Sequence, residues 1–337
     1  MDLNERIRLM ASLGRMLREY PESLRDAIRE ASQQNKWFDE MNIRLALSNI
    51  ADHYLDEKKL SAWIQSYALN EPVPKTVGIV MAGNLPLVGF HDLLCVFITG
   101  HRSLVKLSQK DQVLWPAIRE LLIREDQAAA DYFMIADRLK GLDAVIATGS
   151  DNSARYFHYY FDRYPHIIRK NRVGVAVIFG GESQDILAAI GRDVFSYYGL
   201  GCRNVSSLLV PAGYDFSSLL KSWEPFSELL DHHAYRNNFD YNRTLFIMNN
   251  IPFLESRSAL LLEHPDLVSR IACLHYQYYD SPEQVAGKLN AVKDKIQVVV
   301  SAQPIPGLAT ILPGEAQSPR LEDYADEVDT IKFLARL

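Results

Sequence analysis

Cysteine is scarce in this chain: three residues in 337, at positions 95, 202 and 273. A small, odd number builds no disulfide framework and points to a reducing compartment. An excess of one charge is missing too. Lys and Arg number 36 against 42 Asp and Glu, a formal net charge of -6, and the pI is about 5.9. That balance argues against nucleic acid or an anionic membrane as the main partner. No apolar run approaches the roughly 20 residues that a membrane-spanning helix needs. The opening Met1-Asp2-Leu3-Asn4-Glu5-Arg6 lacks the apolar core of a signal peptide. The expectation is a soluble, cytoplasmic protein with no integral membrane segment. Several signatures are absent as well: G-x-G-x-x-G, the Walker loop, H-E-x-x-H and the G-x-S-x-G elbow. The adjacent His232-His233 cannot present two ligands from one helix face, and no cysteine stands close by, so no metal site is expected there.

What is present is a large apolar content, 48% of the chain, enough for an extensive core or for two or three domains. Leu3, Ile7, Met10, Leu13 and Leu17 recur at spacings of three and four, and Ile43, Leu47, Ile50 and Tyr54 continue the pattern. Residues 1–72 therefore read as a helical segment, broken at Glu71-Pro72-Val73-Pro74. From Thr76 the texture changes. "TVGIVMAG" is a short, fully apolar run of the kind buried parallel strands show. A helix over Phe90–Thr99, a strand "SLVKLS" (103–108), a helix over Trp115–Ile123, a strand "DAVIATGS" (143–150) and a helix over Asp151–Phe161 follow. Over residues 73–172 this alternation predicts an α/β unit with a parallel sheet and crossover helices. Ligands of such sheets sit at the carboxyl ends of strands. Three polar tips stand there: Gly83-Asn84, Lys106-Leu107-Ser108 and Thr148-Gly149-Ser150.

A second α/β stretch covers residues 173–312. It opens with the strand-like "VGVAVIFGGE" (173–182), then a helix from Ser183 to Tyr198, the turn Gly199-Leu200-Gly201-Cys202 and the strand "SSLLVP" (206–211). Residues 215–235 read as helix, "NNFDYNRT" (237–244) as a polar, aromatic loop, and "TLFIMN" (244–249) and "IQVVVS" (296–301) as strands. The tail, residues 313–337, keeps its aromatics and is expected to pack back on the body.

Among these features Cys202 has the best claim to chemistry. A thiolate is the nucleophilic form of cysteine and attacks acyl carbonyls well. The glycine turn exposes the sulfur. The oxyanion of that attack needs donors already in place, and the Asn84 side chain and the Cys202 backbone N–H are candidates. Ser150 stands where a helix N-cap would, and a helix amino terminus suits a pyrophosphate. Gly180 and Gly181 would let the chain pass close to a ligand. Cys95 and Cys273 sit in apolar settings and are expected to be inert, and His91 is expected in the core.

Taken in order, the strand ends, the Gly180-Gly181 pair and Gly201-Cys202 resemble the aldehyde dehydrogenase superfamily. Its pattern runs asparagine-aromatic-proline, lysine-proline-serine, threonine-glycine-serine, glycine-glycine-lysine and then a cysteine after a glycine turn. Within it, "VGIVMAGNLPLVGFHDLL", "YYGLGCRNVSSLLVP" and "PGEAQSPRLEDYADEVDTIKFL" are most similar to the acyl-CoA reductases of the LuxC type, the reductase component of bacterial luminescence systems. The resemblance covers about residues 75–337 and implies an aldehyde dehydrogenase-like fold: a cofactor-binding domain over 73–172 and a catalytic domain over 173–312. It implies reduction of a fatty acyl thioester, carried by coenzyme A or by acyl carrier protein, with NADPH or NADH. Cys202 would be the nucleophile and Asn84 the oxyanion donor. Lys106 would meet the adenosine ribose, Ser150 the pyrophosphate, and Gly180 and Gly181 the nicotinamide, with Ser108, Thr148 and Gly149 also in the cofactor site. Aldehyde-oxidising members carry a water-activating glutamate two residues before the glycine pair, where this chain has Ile178. The family's glutamate-x-phenylalanine-glycine-proline segment is missing too. An acyltransferase or thioesterase using the same cysteine, an inactive scaffold, and self-association into a homo-oligomer stay open.

Overall fold

Apolar residues three and four apart fold the amino-terminal segment into helices α1 (Leu3–Glu19), α2 (Glu22–Gln34), α3 (Glu40–Asn49) and α4 (Glu57–Gln65). Asp2 opens α1 with a capping box on Glu5, and Asp39 and Asp56 cap α3 and α4 in the same way through one backbone N–H each. A computed structural model describes residues 1–67, 69 and 73–337. The break expected at Glu71-Pro72 lies outside the described residues. Contacts divide the chain into unit 1, Met1–Asn171 with Pro319–Leu337, and unit 2, Arg172–Ser318.

In unit 1 the helices are followed by β1 (Thr76–Val80), α5 (Phe90–Ile98), β2 (Arg102–Lys106), α6 (Leu114–Glu125), α7 (Ala129–Tyr132), β3 (Phe133–Ile135), β4 (Ala144–Thr148), α8 (Asp151–Phe161) and β5 (His166–Arg169). The five strands are all parallel, in the order β3-β2-β1-β4-β5. The chain leaves β1 toward β2 and later returns to its other side with β4, so a crevice opens at the carboxyl ends of β1 and β4. One core runs from Leu13, Leu24 and Ile43 through Trp63 to Val77, Leu94, Val105 and Trp115. It includes Ile331 and Leu334 of the carboxyl-terminal helix Thr330–Leu334. A buried ion pair between Arg169 and Asp92 joins β5 to α5, and Arg169 also donates to Thr330 Oγ1 at 3.0 Å.

Unit 2 contains β6 (Val173–Val177), α9 (Gln184–Phe195), β7 (Val205–Pro211), α10 (Ser217–Ser222), α11 (His233–Met248), β8 (Leu254–Glu255), β9 (Leu260–Glu263), β10 (Cys273–Tyr279), α12 (Pro282–Asn290) and β11 (Ile296–Ser301). Its six-stranded sheet has the order β11-β6-β7-β10-β9-β8, and only β8 and β9 pair antiparallel. Ala176, Leu187, Ile190, Leu208 and Leu274 form the core between α9 and the sheet.

Two readings of the sequence are corrected here. "TLFIMN" is no strand, and "NNFDYNRT" is no loop; both lie in α11, with Asn249 as its carboxyl cap. Tyr235, Phe239, Asn242 and Phe246 are buried at helical spacing along that whole segment, while Ile247 and Met248 point outward at 53% and 76% exposure. A short apolar run does not distinguish helix from strand when only its own residues are read.

Candidate active site

In unit 1 the polar tips do stand at the carboxyl edge of the sheet. After β1 the chain turns at Gly83, where a Cβ would come within 2.3 Å of Ser108 Oγ; only glycine lets the loop lie this close to the loop after β2. Asn84 follows and is exposed. The loop ends at Leu87, whose φ of 55° is left-handed and whose N–H donates to the Asp111 carboxylate at 2.8 Å. Asp111 is 2% exposed, and its own N–H donates to the Ser108 carbonyl at 3.1 Å. One buried carboxylate thus ties the Asn84 loop to the Lys106–Ser108 loop. Burial pushes the Asp111 carboxyl up to about 7, against the pull of the Leu87 N–H. Lys106 is exposed at the end of β2, and its carbonyl accepts from the Met81 N–H at 3.1 Å. Across the crevice, Ser150 caps α8 by accepting from the Ser153 N–H at 3.3 Å. Gly149 precedes it because a Cβ there would sit 2.8 Å from Ser153 and from the Phe157 ring.

Cys202 belongs to unit 2. After α9 the chain enters the left-handed region three times in succession, at Tyr197 (φ 52°), Tyr198 (φ 58°) and Gly199 (φ 74°). Two of these carry side chains, each costing roughly 1–3 kcal/mol of backbone strain. Asn204 holds the turn against that strain. It is 2% exposed, accepts from the Gly201 N–H at 2.8 Å, and donates to the carbonyls of Asp193 at 3.0 Å and Ser196 at 2.9 Å. Its backbone N–H donates to the Gly201 carbonyl at 3.1 Å. The Tyr198 ring stacks on His232, centroids 4.3 Å apart. Segment 312–318 is strapped beside the turn: Arg203 donates to the Ala316 carbonyl, and the Asp193 carboxylate accepts from the N–H groups of Gly314 at 2.6 Å and Ala316 at 3.0 Å. Burial pushes the Asp193 carboxyl up to about 6. The Cys202 side chain is half-buried in this frame. Asn204 and Asp111 were not found by reading the sequence, because an asparagine or aspartate near a turn carries no distinguishing signal.

The other cysteines are buried, and burial raises both thiols: Cys95 well above its ordinary value and Cys273 to about 12. Both are disfavoured as thiolates. His91, expected in the core, lies among the rings of Tyr54, Trp63 and Tyr324, with a ring nitrogen 2.9 Å from the Leu321 carbonyl. Burial lowers its pKa.

The Gly180-Gly181 turn is separated from Cys202 within unit 2. The Cys202 turn abuts the amino end of β6, where Gly174 donates to the Asn204 carbonyl at 2.8 Å and a Cβ on Gly174 would press on the Arg203 and Asn204 carbonyls at 2.8 Å. Ile178 lies four residues further along, about 13 Å at strand rise, and the glycine pair lies beyond it. Ile178 is 0% exposed, in the core under α9. Its side chain is directed into that core. The N–H groups of Phe179 and Gly180 are taken by the Glu182 carboxylate at 2.6 and 2.9 Å. The Gly180-Gly181 turn thus follows the carboxyl end of β6, and the Cys202 turn abuts its amino end.

No protein-family model matches the chain, and no curated protein matches it. Solved structures do. An NAD-dependent aldehyde dehydrogenase from Sinorhizobium meliloti is 14% identical, with a TM-score of 0.66 over 89% of this chain and 70% of its own. Aldehyde dehydrogenase 21 from Physcomitrella patens, solved with the product succinate, is 9% identical, with a TM-score of 0.73 over 100% of this chain and 84% of its own. A mutant aldehyde dehydrogenase C from Pseudomonas syringae, solved with NAD+ and octanal, is 10% identical, with a TM-score of 0.63 over 89% and 72%. The chain has the α/β fold of the aldehyde dehydrogenases. Among the described residues, no helix is long and apolar enough to cross a membrane.

Proposed function

We propose that the chain is a nicotinamide-dependent reductase of fatty acyl thioesters, of the LuxC type, with unit 1 binding the cofactor and unit 2 carrying the nucleophile. The observation that carries this reading is Cys202. On an aldehyde dehydrogenase fold, it is the one cysteine of the three that is not fully buried, and it sits on a strained turn locked by Asn204. Strain of this kind persists only where surrounding structure enforces it, and it concentrates at functional positions.

The Cys202 sulfur attacks the carbonyl carbon of the acyl thioester. The bond from that carbon to the sulfur of coenzyme A or acyl carrier protein breaks, and the carrier leaves as a thiolate that takes a proton. The Asn84 amide and the Cys202 N–H are the proposed donors to the oxyanion. The residues of unit 1 fit a dinucleotide. The crevice at the carboxyl ends of β1 and β4, the exposed Lys106 beside Ser108, and the capped amino end of α8 at Thr148-Gly149-Ser150 together offer a cation and oriented N–H groups. Bound there, NADPH or NADH would supply the hydride that reduces the acyl carbon. The Cys202 sulfur then departs from that carbon, and the aldehyde is released.

The test is labelling with radioactive fatty acyl-CoA. The protein should acquire a label cleaved by neutral hydroxylamine, Cys202→Ala should not, and Cys95→Ala and Cys273→Ala should label like the parent. Adding NADPH should convert the label to aldehyde, with a matching fall in absorbance of the reduced cofactor. Normal labelling of Cys202→Ala would remove the nucleophile from this reading. Labelling without cofactor-dependent aldehyde would leave an acyltransferase or thioesterase.

A further inference from the structure

Away from the candidate site, α8 and β5 of unit 1 bring two imidazoles and a carboxylate to one point. Asp162 directly follows α8. His158 Nδ1 lies 2.9 Å from its Oδ1, and His166 Nε2 lies 3.7 Å from the same oxygen. One ligand atom from each of the three residues lies within 4.8 Å of the others.

A separate contact fixes the chemistry of His166. Its Nδ1 lies 2.9 Å from the Tyr164 carbonyl oxygen. A carbonyl only accepts, so Nδ1 carries the proton. In the neutral ring the Nε2 lone pair is then left for the side of the ring that faces Asp162. A lone pair and a carboxylate oxygen repel each other unless a proton or a metal ion lies between them.

We propose that His158, Asp162 and His166 form a binding site for a divalent transition-metal ion of the Zn2+ class. Zinc–ligand bonds are about 2.0–2.2 Å long. In a tetrahedral shell neighbouring donor atoms then stand about 3.4 Å apart by geometry. The separations of 2.9 and 3.7 Å at Asp162 bracket that spacing, so small side-chain shifts would complete the shell. Two imidazoles and one carboxylate suit Zn2+, Co2+ or Ni2+, whereas Mg2+ and Ca2+ favour shells of oxygen alone. The bond from His166 Nδ1–H to Tyr164 is the type of outer contact that orients a metal-ligating histidine. Coordination through His158 Nδ1 requires the neutral ring to carry its proton on Nε2 instead. His158 and Asp162 are exposed and His166 is half-buried, so an ion reaches the site directly from water. Three protein ligands leave a fourth position for a water molecule. The bound ion would cross-link the end of α8 to the start of β5, the strand that carries the buried Arg169. The site is independent of the proposed reductase chemistry.

The experiment is calorimetric titration of the full chain with ZnCl2, together with the melting temperature at saturating Zn2+. A single equivalent should bind and raise the melting temperature. His158→Ala and His166→Ala should each abolish both effects, and Asp162→Asn should weaken binding by about tenfold or more. These side chains lie at the surface, so the variants keep the fold, which circular dichroism checks. Cys202→Ser should bind Zn2+ like the parent. Absence of saturable binding would overturn the proposal. So would binding that survives in the histidine variants, or binding lost in Cys202→Ser, which would make the thiol the ligand.

Discussion

At the scale of single residues, the chemistry assigned to Cys202 depends on a side chain two positions away. Asn204 satisfies the Gly201 N–H and the carbonyls of Asp193 and Ser196 at once, from a site 2% exposed. Each buried polar group left without a partner costs roughly 1–3 kcal/mol. Asn204→Ala strands both the donor and the acceptors, and it frees a turn that already holds Tyr197 and Tyr198 in left-handed conformations. The expected result is a loss of about 2 kcal/mol or more in urea denaturation, together with slower acylation of Cys202 at temperatures where the variant is still folded. Asn204→Asp keeps the acceptor for Gly201 but turns a carboxylate oxygen toward the carbonyls of Asp193 and Ser196, and should be no more stable than Asn204→Ala. Unchanged stability and unchanged acylation in Asn204→Ala would mean that the turn holds its shape without the amide. Cys202 itself was legible in the sequence, because a rare residue after a glycine turn stands out. The lock was not, since its partners lie on the carboxyl end of α9 and only the folded chain brings them within reach.

At the scale of elements, Asp111 couples the loops that follow β1 and β2, and its burial gives that coupling a pH dependence. The folded-state pKa, about 7, lies above the ordinary carboxyl value of 3.8. Between those values the folded chain binds more protons than the unfolded one, so this group's contribution to stability is full below about pH 4 and is lost as pH rises toward 7. Asp111→Asn keeps an acceptor for the Leu87 N–H and cannot ionise. The melting temperature of the variant relative to the parent should therefore become more favourable between pH 5 and pH 8 by the direction of that shift. A difference that is flat or falls over this interval would show that the carboxyl is not buried as described. The loops themselves were readable from the sequence. The short apolar run of β1 ending in turn residues gave the strand, and Ser150 gave the start of α8. Elements whose apolar residues alternate with polar or aromatic ones were not readable. β10, "CLHYQYY", lies between β7 and β9 with His275 buried, and nothing in its composition announces a central strand. α11 was misread because four apolar residues in a row, Leu245 to Met248, suit either period.

At the scale of the whole molecule, the choice between reductase and hydrolase rests on whether a base stands ready beside the acyl-cysteine. Position 178 carries no base: Ile178 is buried in the core of unit 2, and the Cys202 turn abuts the amino end of β6. Nearer the cysteine, the carboxylate of Asp193 is engaged by the N–H groups of Gly314 and Ala316, and that of Glu182 caps the far end of β6. General-base assistance is worth about 10²–10⁴-fold in rate, so an acyl-enzyme without it should persist in water. With fatty acyl-CoA and no cofactor, the labelled protein should release free acid far more slowly than it forms aldehyde once NADPH is added. Ile178→Glu then becomes a control with a definite outcome. Its carboxylate would be buried among Leu187, Ile190 and Leu208, so the variant should lose stability, and its surviving folded fraction should hydrolyse the acyl-enzyme no faster than the parent. The measurement is free fatty acid released per acyl-cysteine, with and without NADPH, for both proteins. If the parent hydrolyses its acyl-enzyme as fast as it reduces it, another base lies within reach of Cys202, and the thioesterase reading replaces the reductase one. If Ile178→Glu is stable and accelerates hydrolysis, the side chain at 178 reaches the cysteine after all, and the placement of β6 relative to the Cys202 turn is wrong.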